Sequence, residues 1–221
     1  HHAVRGFWDG GRTFRVRFTP PLRGKWTYEI QSVPADAGLA RRGAFEATTP
    51  ARTSHGFLRR DARYPTSFVF DDGTRYFMCG TTYYHLLLNA RAHDRWQEAI
   101  DGAVRYGMNK ARFSLYPSPA KGGVGRYPLS TPFADEGLMH PDLDHWRAAD
   151  KVVRYMAQRG FLADVILFWT KPKGSETLLR EDERYLRYAL ARLAAFPNVI
   201  WCMVNEWNYS GVPQDYWNRL G

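Results

Sequence analysis

Asn205 and Glu206 follow an unbroken apolar run, Val199-Ile200-Trp201-Cys202-Met203-Val204. A carboxylate at the exit of a buried strand is expensive unless it serves chemistry. A carboxyl group walled by apolar side chains stays protonated near neutrality. A general acid needs that state to protonate a leaving glycosidic oxygen. Asn205 stands beside it as a hydrogen-bonding partner for a sugar hydroxyl, and Trp207 and Tyr209 are candidates to stack on a sugar ring. The competing reading of Glu206 is a residue in the first turn of the following helix, favoured there by the helix dipole.

Other residues with chemical potential also sit at the ends of apolar runs. Arg112 follows Met108-Asn109-Lys110-Ala111, Tyr83-Tyr84-His85 follow Gly80-Thr81-Thr82, and Tyr116 and Trp169 close two further runs. They are candidates to line a sugar subsite, although each aromatic serves packing equally well. His85 has no His or carboxylate at ligand spacing, so no metal is expected. No Gly-rich phosphate loop follows a strand, which counts against a nucleotide site, and no cofactor is expected. Cys79 and Cys202 are too few for a disulfide scaffold or a zinc site, and both are expected as buried free thiols.

The elements that must position these residues change character along the chain. In residues 1–50, Phe14, Val16 and Phe18 alternate with polar residues, as do Trp26, Tyr28 and Ile30. That period of two predicts strands with one buried face. Pro20 to Gly24 separates them as a turn, and Phe45 to Thr48 is a third candidate strand. We read residues 1–50 as part of an antiparallel β-sandwich and residues 51–63 as a linker. Residues 64–221 open with a hairpin around Asp71-Asp72-Gly73-Thr74. Helices are then predicted over 94–106, 144–159, 180–195 and 214–220, with Asp94 as a candidate N-cap of the first. Strands are predicted over 108–115, 161–168 and 199–204. Alternating β and α implies a parallel sheet with right-handed crossovers, which fits a doubly wound sheet or a TIM barrel. The Gly- and Pro-rich stretch 116–141 would lie on the strand-end face that TIM barrels use for catalysis.

Several segments together resemble the apiosidase-like barrels of the clan A glycoside hydrolases. Trp201-Cys202-Met203-Val204-Asn205-Glu206-Trp207 resembles the clan's fourth-strand Asn-Glu signature. His55-Gly56-Phe57-Leu58, Tyr76 to Thr82, Gly107-Met108-Asn109, and His145-Trp146 with Ala149-Asp150 resemble the family's other segments. Gly6-Phe7-Trp8-Asp9-Gly10, Arg15 to Pro20 and Gly24 to Tyr28 resemble the small β-sandwich that precedes such barrels. The resemblance implies a (β/α)8 barrel and a retaining hydrolase acting on a plant or microbial polysaccharide or its side chains. It makes Glu206 the acid/base, Asn205 a contact of the substrate 2-hydroxyl, and Arg112 a neighbour of the nucleophile. The clan carries that nucleophile on its seventh strand, whereas this sequence supplies four strands. Four strands make the first half of a barrel, so the chain is expected to be a fragment, inactive by itself.

Composition fits this expectation without choosing it. The chain has 221 residues, 44% hydrophobic and 24% charged, enough for a folded core. No apolar run approaches the roughly 20 residues needed to span a bilayer, so no membrane partner is expected. The net charge of +9 is scattered along the sequence. Nucleic-acid binders concentrate such charge on one face or tail, so no nucleic-acid partner is expected; the partner that the resemblance implies is carbohydrate. A carbohydrate-binding barrel without catalysis, and a basic nucleic-acid module, remain the alternatives.

Overall fold

The computed structural model describes residues 1–92, 95–116, 132–134, 139–169, 179–209 and 211–220. The chain opens with β1 (Gly6–Trp8) and β2 (Phe14–Val16), an antiparallel pair in which Phe7 lies opposite Arg15. A second pair follows, β3 (Gly24–Ile30) and β4 (Arg41–Ala47), with Gly24 opposite Ala47. The two ribbons remain separate sheets. Neighbouring runs read as successive strands thus pair outward, β2 with β1 and β3 with β4. One consequence is that Phe14, Val16 and Tyr28 are exposed rather than facing a buried interior.

A three-stranded antiparallel sheet comes next: β5 (Leu58–Arg60), β6 (Phe68–Phe70) and β7 (Arg75–Tyr76). The turn between β6 and β7 is the one expected from its sequence. Gly73 has φ +87°, and the Asp72 carboxylate accepts the Thr74 N–H at 2.9 Å. A left-handed backbone of this kind suits glycine, and the local Asx bond closes the turn.

The remainder is a four-stranded parallel sheet with helices. It runs β8 (Gly80–Thr82), α1 (Leu86–Arg91), α2 (Trp96–Arg105), β9 (Lys110–Ser114), α3 (Leu143–Ala157), β10 (Leu162–Phe168), α4 (Leu179–Leu193), β11 (Val199–Val204) and α5 (Gln214–Leu220). The spatial order is β11-β10-β9-β8, so each strand lies beside its predecessor in sequence. Gly80 is required by that pairing, because a Cβ there would meet the Lys110 carbonyl oxygen at 2.6 Å.

Alternation along these strands decides which side chains reach which face. Ala111 and Phe113 on β9, Leu115 just beyond it, and Ala163, Val165 and Leu167 on β10 are buried in the core shared with the helices. Ile100, Trp146, Val152, Met156 and Leu193 meet them from the helical side. Each such large side chain taken out of water contributes roughly 1.5–3 kcal/mol. Lys110, Arg112 and Asp164 occupy the opposite face. Helix termini follow the expected signals where these are described. Gly107 (φ +76°) and Gly160 (φ +62°) stop α2 and α3. The Asp142 carboxylate caps α3 by accepting from Asp144 and His145 N–H. Asp94, the expected cap of α2, and most of stretch 116–141 lie outside the described residues.

The N-terminal ribbon rests on α3 and α4 through charge. Arg17 forks onto both oxygens of Asp150 at 2.7 Å. Arg192, 1% exposed, reaches Asp150 and Asp9, each at 2.9 Å. The Tyr188 hydroxyl donates to the Trp8 carbonyl at 2.6 Å.

Candidate functional site

Because the four strands are parallel, their C-terminal ends share one rim. It receives Tyr83-Tyr84-His85 after β8, Tyr116 beyond β9, Trp169 after β10 and Asn205-Glu206-Trp207 after β11. Ligands of parallel α/β sheets bind at this end.

Arg112 spans the face of the sheet away from the core. Its Nη2 donates to Cys202 Sγ at 3.0 Å, crossing over β10 to β11. Burial opposes the guanidinium charge, but the Cys202 thiol, then Asp164 and Tyr84, outweigh it and set its pKa above the ordinary arginine value. One layer nearer the strand starts, Lys110 Nζ meets Asp164 Oδ2 at 2.6 Å, both side chains being largely buried. Neither Cys202 as the partner of Arg112 nor the Lys110–Asp164 pair was identified from the sequence. Residues alternate visibly within a strand, but which strands are neighbours, and in what register, is a property of the fold.

Tyr84 and Trp169 come together at the rim as an edge-to-face pair, with ring centroids 4.9 Å apart at 78°. Tyr83 and Tyr116 turn instead to the helical layer. The Tyr83 hydroxyl donates to the Ala99 carbonyl of α2 at 3.3 Å. Tyr116 packs edge-on to Tyr185 of α4 with centroids 5.6 Å apart, and burial, then Asp182, raises its pKa. His85 precedes α1, its pKa lowered by burial, so its ring is neutral at pH 7. Its Nδ1 is buried without a hydrogen-bond partner among the described residues.

Asn205 continues the ladder, its N–H donating to the Phe168 carbonyl at 2.9 Å. Its side chain is 1% exposed, and neither the amide oxygen nor the amide nitrogen has a hydrogen-bond partner among the described residues. A buried polar group left unpaired costs about 1–3 kcal/mol, so such an amide is poised for a group that would complete it. Glu206 follows at φ +50°, a left-handed conformation that non-glycine residues adopt at a cost and that recurs at functional sites. The residue is exposed rather than walled by apolar side chains as its apolar run suggested, because the chain turns out of the sheet after Val204, and Trp207, 52% exposed, opens a short 3-10 turn beyond it.

Both cysteines are free, but neither is buried as expected: Cys79 is exposed and Cys202 is half-buried. The apolar run suggested a strand through Cys79, whereas β8 begins one residue later at Gly80. Among the described residues, no three His, Cys, Asp or Glu side chains stand together as a metal site.

A parallel sheet packed against helices, with polar and aromatic side chains at its strand ends, places the chain in the mixed α/β class. The chain belongs to the apiosidase-like catalytic-domain family, whose model matches residues 63–221. Residues 1–33 match a separate domain of unknown function, DUF5060. Among solved structures, the chain is similar to one from Bacteroides vulgatus described as a "putative glycoside hydrolase", with 29% identity and a TM-score of 0.81. That match covers 98% of this chain and 45% of the other, so the chain spans less than half that relative's length. A family 5 glycoside hydrolase from the same organism shares the fold, at 18% identity and a TM-score of 0.56, over 75% of this chain and 36% of the other. No curated protein matches the chain.

Proposed function

We propose that the protein is a retaining glycoside hydrolase with Glu206 as its acid/base, acting on a plant or microbial polysaccharide or its side chains. In this reading residues 64–221 form four βα units of a (β/α)8 barrel. Residues 1–50 are part of a β-sandwich and 51–63 the linker between them. The observation that carries it is the buried amide of Asn205, without a hydrogen-bond partner among the described residues, beside a left-handed, exposed Glu206 at the exit of β11. A sugar hydroxyl would complete the amide, and the carboxyl would stand free to exchange a proton with the glycosidic oxygen.

Glu206 then donates its proton to the leaving oxygen while a second carboxylate attacks the anomeric carbon. In the second step Glu206 takes the proton from the water that releases the sugar. That second carboxylate must lie about 5 Å away. None of the described residues is proposed for it. Arg112, held by Cys202, would lie beside it and keep it ionised. Tyr84, Trp169 and Trp207 offer ring faces and edges to the sugar, and His85 a neutral ring nitrogen. Tyr83 and Tyr116 support the rim from the helical side. Neither nucleic acid nor a membrane is proposed as a partner.

The test is Glu206→Gln in a form of the protein that turns over aryl glycosides. For a poor leaving group kcat should fall by about 100-fold or more, the scale of general acid catalysis, with substrate binding nearly unchanged. A highly activated leaving group should lose much less in the glycosylation step. Equal loss of kcat/KM, which reports that step, for both leaving groups, or no loss for either, would exclude the acid role. Binding without turnover in the unaltered protein would favour a non-catalytic carbohydrate-binding barrel.

A further inference from the structure

We propose that the crevice between β2 and α3 is a second glycan contact, built to hold the carboxylate or sulfate groups of an acidic polysaccharide. The proposal rests on the carbohydrate reading above and names the chemistry of the chain that would be bound. The crevice is open, has a volume of about 660 Å3, and lies where the N-terminal ribbon meets the outer side of the helices.

Its charges do not balance. Arg15, Arg17 and Arg192 share two carboxylates, Asp9 and Asp150. Arg147 and Arg154 bring two further guanidinium groups to the same crevice. The nearest carboxylate to Arg147 is Asp144 at 3.8 Å, which lies outside the lining. Arg154 stands over the Phe196 ring at 5.3 Å and has no ion pair among the described residues.

The guanidinium groups are also crowded. Arg17 and Arg192 lie 4.9 and 4.8 Å from the centre of the Phe7 ring, and Arg17 also lies 5.2 Å from the Phe196 ring that Arg154 covers. Like charges drawn this close, with Arg192 withdrawn from water, hold a positive excess that an incoming anion would neutralise. Forked guanidinium donors match carboxylate and sulfate oxygens in geometry as well as charge. Phe14, 55% exposed on the same lining, supplies an apolar face for the sugar that carries the anion.

The test is calorimetric titration, using a monodisperse form of the protein that includes residues 1–221. The ligands are alginate oligomers, dextran sulfate, neutral dextran and inorganic sulfate. The variants are the crevice pair Arg147→Gln with Arg154→Gln, and the control pair Arg60→Gln with Arg105→Gln. All four side chains are on exposed residues, and both pairs remove the same charge. Alginate or dextran sulfate should bind and neutral dextran should not. The crevice pair should weaken that binding about tenfold or more, and the control pair less than about twofold. Equal loss in both pairs would mean diffuse attraction to a basic protein and would overturn the proposal. So would binding that the crevice pair leaves unchanged, or binding of inorganic sulfate alone. Titration of Glu206→Gln separates this site from the catalytic reading. Crevice-dependent binding retained there stands whatever becomes of the acid/base assignment.

Discussion

His145 shows how much one buried side chain can bias the fold. It is 1% exposed beside Trp146, with its ring centroid 5.7 Å from that indole. Burial, aided by the nearby positive charge of Arg91, pushes its pKa down to about 4. In the unfolded chain it titrates at about 6.5. Between these values the unfolded state binds more protons, so the contribution is complete above pH 6.5 and is lost as pH falls. Stability should therefore drop by roughly 2 kcal/mol between pH 7 and pH 5 from this group alone. Urea denaturation at the two pH values checks it, and His145→Gln should remove that share of the slope. An unchanged slope in the variant would contradict the assignment. Legibility at this scale was uneven. Asn205-Glu206 stood out because a polar pair ends a long apolar run. The contact of Arg112 with Cys202, and the turning of Tyr83 and Tyr116 towards α2 and α4, depend on neighbours that are remote in sequence.

The elements of the parallel sheet were the most readable part of the molecule. The boundaries of β10, β11, α3, α4 and α5 lie within two residues of those expected, because each has a full-period apolar face and a clear stop. Helix α1 was missed, since six residues are too few to display a helical period. In the N-terminal ribbons β2, β3 and β4 were legible as strands but their pairing was not, because alternation reports a strand but not its partner. The first ribbon is held by the buried Phe7, by the Tyr188 hydrogen bond and by an ionic clamp, and the clamp makes a specific prediction. Asp150 is shared by Arg17 and Arg192, and its removal leaves two guanidinium groups facing each other across a largely buried gap. Asp150→Ala should lower unfolding stability by about 3 kcal/mol, the scale for breaking one side of a buried pair. Combined with Arg17→Ala, the two losses should fall short of additivity by about 1 kcal/mol or more. Strict additivity in a urea double-mutant cycle would show that the clamp carries no weight.

At the scale of the whole molecule, alternation of β and α announced a parallel sheet but left open whether it closes. In the observed order every strand lies beside its sequence predecessor, with no switch point of the kind at which a doubly wound sheet reverses, and that order is compatible with the proposed barrel. Among the described residues β8 and β11 are the edges of that sheet, and in the proposed barrel further strands would pair with them. The proposed retaining reaction needs a second carboxylate about 5 Å from Glu206, and in the proposed barrel a later strand would bring it to the same rim. The central claim, that Glu206 serves as acid and then as base, is tested most directly by chemical rescue. Glu206→Ala, in a form of the protein that turns over an activated aryl glycoside, should accumulate a glycosyl-enzyme that water attacks slowly for want of a base. Added azide needs no base, so turnover should rise with its concentration and yield a glycosyl azide of retained anomeric configuration. Turnover of Glu206→Ala that matches the unaltered enzyme without azide, or an azide product of inverted configuration, would contradict the account.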